Sequence, residues 1–273
     1  MQASPTWTPP TGTLGNIVAE ARDRAALLKT SERELAESAA AAAAVPSMSW
    51  ALVGASVSVV AEVKRRSPSK GWINPGLSAA DRARAYEQGG AAAISILTEP
   101  AHFGGSAADL VAVCDAVGLP VLKKDFHVDP IQLIEAKALG ASAALLIARA
   151  LAPDALVEMI DMARQLSLEV IVEIRDEAEL ARAIEGGAEI IGINNRNLET
   201  LIIDPATSDR LLALIPPGVI AIAESGVSAR ADVERVARHG ADAVLVGSVL
   251  SAAADPADAV AQLTGVPRIG RDG

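Results

Sequence analysis

The sequence predicts an α/β fold, a parallel (β/α)8 TIM barrel with an N-terminal helical extension, and three observations carry that prediction. Short apolar runs alternate eight times with helical stretches. Glycine–alanine pairs recur at steps of about 50 residues, a period that implies repeated units. Charged side chains gather at the carboxyl ends of the runs, where a parallel barrel builds its active site.

Length and composition fit this class. The chain has 273 residues, and a closed barrel of this kind takes about 250. Half the residues (51%) are apolar but only 2% are aromatic, so Ala, Val, Leu and Ile must fill the interior layers. One domain is expected, with a tail and helical extension over 1–50 and the barrel over 51–273.

Along the chain, residues 1–12 carry three prolines and read as a loose tail. Leu14, Ile17, Val18, Ala21, Ala25 and Leu28 then recur at helical spacing, which predicts an amphipathic helix running towards Ala44. The alanine run Ala39–Ala44 favours helix, and Pro46 is expected to end it. Eight strands follow, in runs 57–64, 91–97, 120–124, 143–147, 169–173, 190–194, 219–224 and 243–246. Continuous Val/Ile-rich runs suit strands buried on both faces of a parallel sheet. Helix starts are marked by Ser78, Ser106, Asp176, Ser228 and Asp255. Gly90-Ala91, Gly140-Ala141, Gly187-Ala188 and Gly240-Ala241 each close a helix ahead of an even-numbered strand.

Charge and cysteine content exclude several function classes. A net charge of −10 opposes binding to nucleic acid or an anionic membrane, both of which need a basic patch. A small anion remains possible in a locally basic pocket. Cys114 is the only cysteine, so no intrachain disulfide forms, and it reads as a core residue. Neither a metal-ligand spacing nor a cofactor motif is present; Gly104-Gly105 reads as a loop turn. The start lacks a signal-peptide pattern and no apolar run reaches the roughly 18 residues of a membrane span. A cytoplasmic protein, monomeric by preference, is expected.

The polar residues at the strand ends are the candidates for chemistry. Strand one ends in Glu62-Val-Lys64-Arg-Arg-Ser67, strand three in Lys123-Lys124-Asp125-Phe126, strand five in Glu173. Strand six ends in Asn194-Asn-Arg196, strand seven in Glu224-Ser225-Gly226, strand eight in Gly247-Ser248. Period-two alternation places Glu62 and Lys64 on one face. Any one of these charges read alone is as well explained by a rim ion pair, but buried charge is costly unless paired or used. The turns at Ser225-Gly226 and Gly247-Ser248, on the last two strands, occupy the usual phosphate position of such barrels, where backbone N–H groups meet the anion. His102, His127 and His239 are scattered and are given no role.

Glu62-Val-Lys64-Arg-Arg-Ser67-Pro-Ser69 resembles the strand-one signature of the indole-3-glycerol phosphate synthases. Leu122-Lys-Lys124-Asp125-Phe126, Ile193-Asn194-Asn-Arg196-Asn-Leu and Glu224-Ser225-Gly226-Val227 are similar to further motifs of that family, in order from about Leu14 to Leu263. Asn197 departs from the pattern, where Asp is expected, and puts only loop geometry in doubt. The resemblance implies closure of a pyrrole ring on an anthranilate-derived amino-deoxyribulose phosphate, with loss of carbon dioxide and water and without a cofactor. It implies Lys124 as the acid of ring closure and Glu173 as the base of dehydration, with Lys64 or Glu62 assisting. Asn194 is implied at the sugar hydroxyls, and Arg196 with Lys64 at the substrate carboxylate. Ser67, Glu224, Ser225, Gly226, Gly247 and Ser248 are implied in substrate binding, mostly around the phosphate. An ordinary lysine, with a pKa of about 10.4, is a reluctant acid; Lys64 and an apolar wall are expected to bring Lys124 nearer neutrality.

Three rivals differ in signature. Phosphoribosylanthranilate isomerase, a phosphate-binding barrel like the tryptophan synthase α subunit, resembles a Cys/Asp acid–base pair with the Cys on strand one, which here ends in Glu62 and Lys64. A Schiff-base aldolase needs a neutral interior lysine. A barrel that only binds a ligand or a partner helix has no need of charges at four strand ends.

Overall fold

The computed structural model describes residues 7–271. Strands β1 (Ser58–Val63), β2 (Ala93–Leu97), β3 (Val121–Lys124), β4 (Ala143–Ile147), β5 (Glu169–Ile174), β6 (Ile190–Asn194), β7 (Ile220–Glu224) and β8 (Ala243–Val246) close into one parallel barrel. Each pairs with its neighbours in chain order, and β8 returns to β1 with Ser58 opposite Ala243 and Ala61 opposite Val246. All eight strands coincide with the apolar runs read from the sequence to within three residues at either end. A short antiparallel hairpin, Arg66–Ser67 against Gly71–Trp72, rises from the loop after β1.

Helices α4 (Ala79–Gln88), α6 (Ala107–Cys114), α7 (Ile131–Ala138), α8 (Pro153–Gln165), α9 (Glu177–Glu185), α10 (Ala206–Leu212), α11 (Arg230–Arg238) and α13 (Pro256–Ala261) surround the barrel. The short α5 (Pro100–Phe103) and α12 (Ser248–Ala252) sit just after β2 and β8. Ser78, Ser106, Asp176 and Asp255 cap helices as expected, each side chain accepting from a backbone N–H three residues on. Ser228 does not: α11 starts at Arg230, and the Asp232 carboxylate instead accepts from the backbone N–H groups of Ser228 and Ala229. The four Gly-Ala pairs share one geometry. Each glycine has positive φ, from +79° to +93°, and its N–H and that of the following alanine return to carbonyls in the preceding turn. This is the Schellman arrangement that stops a helix and aims the chain into the next strand.

The extension departs from the expected single helix. α1 (Gly12–Leu28) passes through a 3-10 turn, Lys29–Ser31, into α2 (Glu32–Ala41). At the break the Thr30 hydroxyl donates to Leu27 O at 2.7 Å, the local competition that disfavours helix at Ser and Thr. α2 ends at Ala41, ahead of Pro46, and Ala42 is extended; the chain turns there beneath the barrel, and alanine propensity yields to that route. The short helix α3 (Met48–Leu52) follows and buries Met48 and Leu52 completely. Of the expected loose tail, residues 1–6 lie outside the described residues. From Trp7 on, the chain is docked: Trp7 Nε1 donates to Arg149 O (3.2 Å), Arg149 Nη1 to Thr8 O (2.6 Å), and Thr11 N to Glu199 Oε1 (3.0 Å).

Two apolar clusters result. One lies between the barrel and its helices. The other fills the interior with Val60, Ala93, Leu122, Leu145, Ile171, Ile222 and Leu245, and extends to Leu14, Ile17 and Val18 of α1 and to Met48 and Leu52 of α3. α1 therefore continues the inner core as a wall, and α3 continues it as a plug. Among the described residues no helix is long and apolar enough to cross a membrane.

Candidate active site

At the carboxyl ends of the strands the inward side chains are mostly polar and surround a cavity of about 710 Å³. Every sequence-predicted site residue lines it: Glu62, Lys64, Ser67, Lys124, Glu173, Asn194, Arg196, Glu224, Ser225, Gly226, Gly247 and Ser248.

At the end of β1, Glu62 and Lys64 share a face, as alternation requires, and form an ion pair between the buried carboxylate and a half-buried ammonium. Burial alone would raise the Glu62 pKa, but Lys64, Lys124 and Arg196 hold it below the usual carboxylate value. The strand end is pinned from outside the site. Ser251 on α12 accepts from Lys64 N (3.1 Å) and donates to Glu62 O (3.1 Å), and the buried Tyr86 hydroxyl also donates to Glu62 O (3.4 Å). Room for the pair comes from Gly247: a Cβ there would overlap Glu62 Oε1 and lie 2.9 Å from Lys64 Nζ.

On β3, Lys124 points inward and Lys123 outward. Lys124 Nζ stands 2.7 Å from Glu224 Oε2 and 3.6 Å from Glu173 Oε2. The expectation that Lys124 is brought nearer neutrality does not hold in the free protein. Burial does push its pKa down, but Glu224, Glu173 and Glu62 together outweigh burial, and the net direction is upward. Lys123 is buried between Glu135 (2.7 Å) and His127 (3.4 Å). His127 lies with its Nδ1 2.7 Å from Leu145 O, and burial next to Lys123 pushes its pKa down to about 3, so it is a neutral structural group.

Glu173 is the rim carboxyl whose pKa is raised. Burial, then repulsion from Glu224, pushes its pKa up to about 7, although Lys124 and the Asn194 side chain pull it down. A group poised near neutrality can both take and give a proton. Glu224 in turn is 1% exposed, and its Oε1 has no hydrogen-bond partner among the described residues. Gly192 on β6 makes space for that oxygen, since a Cβ there would overlap it.

The loop after β6 is shaped by side chains. Asn194 Oδ1 accepts from Arg196 N (2.9 Å), and Arg196 Nη1 donates to Leu201 O (3.0 Å), which leaves the guanidinium at the cavity wall. Asn197 Oδ1 accepts from Glu199 N and Thr200 N at 2.8 and 3.1 Å; an aspartate would accept the same two bonds, so the departure at this position preserves the turn. After β7, Ser225 (φ +63°) and Gly226 (φ +83°) are both left-handed, a conformation that a non-glycine residue adopts at a cost and that clusters at functional sites. Asn195 Nδ2 donates to Ser225 O at 2.9 Å and holds the turn. Gly247 and Ser248 start α12, so both suspected anion turns open on the same cavity.

Sequence reasoning expected an apolar wall without naming its residues, and missed its fastening. Leu14 and Ile17 from α1, with Phe103, Phe126, Leu145 and Leu198, give the cavity an apolar side. Arg24 on α1 ties that helix to Asp125 (2.6 Å) and Glu99 (3.5 Å). Asp125 also accepts from the Thr98 hydroxyl at 2.7 Å. Nothing in the local pattern around Arg24 marks it; only its partners, 75 and 101 residues away, give it a role. Cys114 is a packing residue, with its Sγ 3.3 Å from Gly140 O.

The family model of indole-3-glycerol phosphate synthase matches residues 14–263. An indole-3-glycerol phosphate synthase of Kineococcus radiotolerans is 53% identical over 207 residues, 76% of this chain and 76% of that protein. Indole-3-glycerol phosphate synthase 2 of Streptomyces coelicolor is 44% identical over 257 residues, 93% of this chain and 99% of that protein. Among solved structures, thiamine phosphate pyrophosphorylase from Pyrococcus furiosus superposes with a TM-score of 0.58 at 16% identity, covering 76% of this chain and 93% of that one. At that identity it speaks for the barrel alone.

Proposed function

The chain belongs to the indole-3-glycerol phosphate synthase family, and from that premise we propose how its residues divide the work. The reaction closes a ring on 1-(2-carboxyphenylamino)-1-deoxyribulose 5-phosphate, releases carbon dioxide and water, and yields indole-3-glycerol phosphate, a step of tryptophan biosynthesis.

The observation that carries the assignment is the convergence of Lys64, Lys124, Arg196, Glu62, Glu173 and Glu224 on a single cavity with an apolar side. The aromatic ring packs on the wall of Leu14, Ile17, Phe103 and Phe126, and the phosphate sits at the Ser225-Gly226 and Gly247-Ser248 turns with Ser67. Anchoring the phosphate turns remote binding energy into position at the reacting carbons. Arg196 and Lys64 receive the substrate carboxylate, and Asn194 and Glu224 orient sugar hydroxyls and the lysine between them.

Ring closure requires a proton on the ketone oxygen as the aromatic carbon attacks, and Lys124 supplies it. In the free protein Lys124 is a loaded but weak acid, because two carboxylates face it. Protonation of Glu173 removes one of those charges and makes Lys124 readier to give up its proton. Having passed its proton on to the spent Lys124, Glu173 is a carboxylate again and acts as base in the dehydration, taking a proton from carbon, while Lys64 or Glu62 assists departure of the hydroxyl.

The same lysine geometry speaks against a Schiff-base aldolase, since an ammonium held between carboxylates is a poor nucleophile. Fluorescence detection of indole-3-glycerol phosphate formed from the amino-deoxyribulose phosphate tests the assignment: product is expected, and its absence with folded protein overturns it. Borohydride treatment in the presence of substrate is expected to leave no adduct on Lys124 by mass spectrometry.

A further inference from the structure

We propose that Lys70, on the turn of the hairpin after β1, supplies the positive charge that meets the substrate phosphate, an inference that deepens the phosphate placement just given and rests on it.

The charges around the cavity leave a place for it. Glu62, Asp125, Glu173 and Glu224 line the cavity together with Lys64, Lys70, Lys124 and Arg196, so the formal charge of the lining is nil before substrate arrives. The substrate adds a carboxylate and a phosphate monoester, the latter of about −1.5 to −2 charge near neutral pH. It does so within a chain of net charge −10, whose overall field repels anions. Ser67 and the Ser225-Gly226 and Gly247-Ser248 turns offer N–H and O–H groups to the phosphate but no full charge. Three of the four cations already have work. Lys64 pairs with Glu62, and Lys124 with Glu224 and Glu173. Arg196 donates to Leu201 O and is given to the substrate carboxylate. Lys70 is exposed, and among the described residues its ammonium has no carboxylate within ion-pair distance.

The fold carries that ammonium to the mouth. β1 pairs with β8, so the loop after β1 rises beside the Gly247-Ser248 turn, and Ser69 and Lys70 border the same cavity as Ser248 and Val249. The turn is ordered by its own residues. Lys70 N donates to Ser67 O and to Ser67 Oγ, both at 3.3 Å. Pro68 fixes its own φ, and Gly71 takes the left-handed conformation (φ +67°) that glycine adopts without a steric cost.

The base of the hairpin is fastened on the side away from the phosphate turns. Arg66 Nη1 donates to Ala101 O at 2.9 Å, and its guanidinium lies 5.6 Å from the centre of the Trp72 ring, a cation–π distance. Trp72 in turn rests on Gly104, where a Cβ would come within 3.1 Å of the ring. Arg66 is thereby held out of the cavity lining, and Lys70 is the cation that the hairpin brings to it. A lysine suits this place, since a point charge with three rotatable donors meets a phosphate without a fixed approach.

Lys70→Met removes the charge and keeps most of the stem. Its KM is expected to rise roughly tenfold with kcat within about twofold, the pattern of a contact made equally before and during the reaction. Binding of inorganic phosphate, followed by calorimetric titration and as competitive inhibition, is expected to weaken by a similar factor. KM should also depend less steeply on ionic strength than in wild type. The substrate lacking its phosphate, 1-(2-carboxyphenylamino)-1-deoxyribulose, is expected to bind the two proteins equally. Unchanged KM and phosphate affinity in Lys70→Met overturn the proposal, as does an equal loss of affinity for the dephosphorylated compound, which places the effect in the loop or at another substrate group. Lys70-dependent phosphate binding in a wild-type protein that forms no indole-3-glycerol phosphate leaves the anion contact standing and sinks the reaction assignment instead.

Discussion

Strand β5 carries a carboxylate at each end, and the two live under opposite rules. At the lower end Glu169 is saturated with donors: Ser47 Oγ (3.0 Å), Ser49 N (3.0 Å), Ser49 Oγ (2.6 Å) and the Met48 amide all point at it. It fastens α3 across the bottom of the barrel. Four residues on, Glu173 is buried with another carboxylate nearby, one lysine at 3.6 Å and a pKa near 7. Satisfaction fixes a structure, and incomplete satisfaction stores reactivity. The difference between the two ends of one strand is the difference between a clasp and an acid–base.

Substitutions at the reactive end should cost turnover, and those at the clasp should cost stability. The sharpest case is Lys124→Ala, expected to reduce kcat by about 10⁴-fold, the upper range for a lost proton donor, with substrate affinity within about tenfold, or ~1.4 kcal/mol. The fluorescence assay and equilibrium titration measure the two separately, and retained turnover would remove Lys124 from its role. Glu173→Gln is expected to lower kcat by more than about 10²-fold; activity near wild type would erase the contrast between the two ends.

Gly192→Ala tests the reactive end without replacing an ionisable side chain. The added methyl must displace Glu224, and overpacking of this kind costs about 1–3 kcal/mol together with a smaller loss of kcat, read by chemical denaturation and by the assay. Glu169→Gln is expected to invert the pattern, losing about 1–3 kcal/mol of stability with kcat within about twofold. The mildest test is pH. Because the folded-state pKa of Glu173 lies above the ordinary carboxyl value of 4.5, the folded chain holds that proton longer than the unfolded one. Its contribution to stability is thus full below about pH 4.5 and is lost as pH rises through 7. Denaturant melts at pH 5 and pH 8 should show wild type losing stability relative to Glu173→Gln; the opposite slope would contradict the raised pKa.

Much of this was legible in the residues themselves. Strand runs, helix caps such as Ser106 and Asp176, and the Gly-Ala stops are local patterns with a fixed period, and they imply which residues fall at strand ends. Knowing the barrel's polarity then brings Glu62, Lys124, Glu173 and Glu224 to one mouth. What was not legible depends on contacts between distant residues. The upward shift of Lys124 depends on Glu224, 100 residues away in sequence. The docking of Trp7 and Thr8 on Arg149 and the Arg24–Asp125 tie depend on partners no helical period announces. The break at Thr30 and the early end of α2 at Ala41 show tertiary routing overriding propensity.

Gly192 and Gly247 stand where other interior positions carry Ile or Leu, so the chamber is carved from the innermost layer of the barrel and not added above it. Bulk added at either glycine collides with Glu224 or Glu62, so it costs fold and turnover together. Directed evolution for a hardier enzyme should therefore find its gains on the outer shell of helices and leave the centre alone.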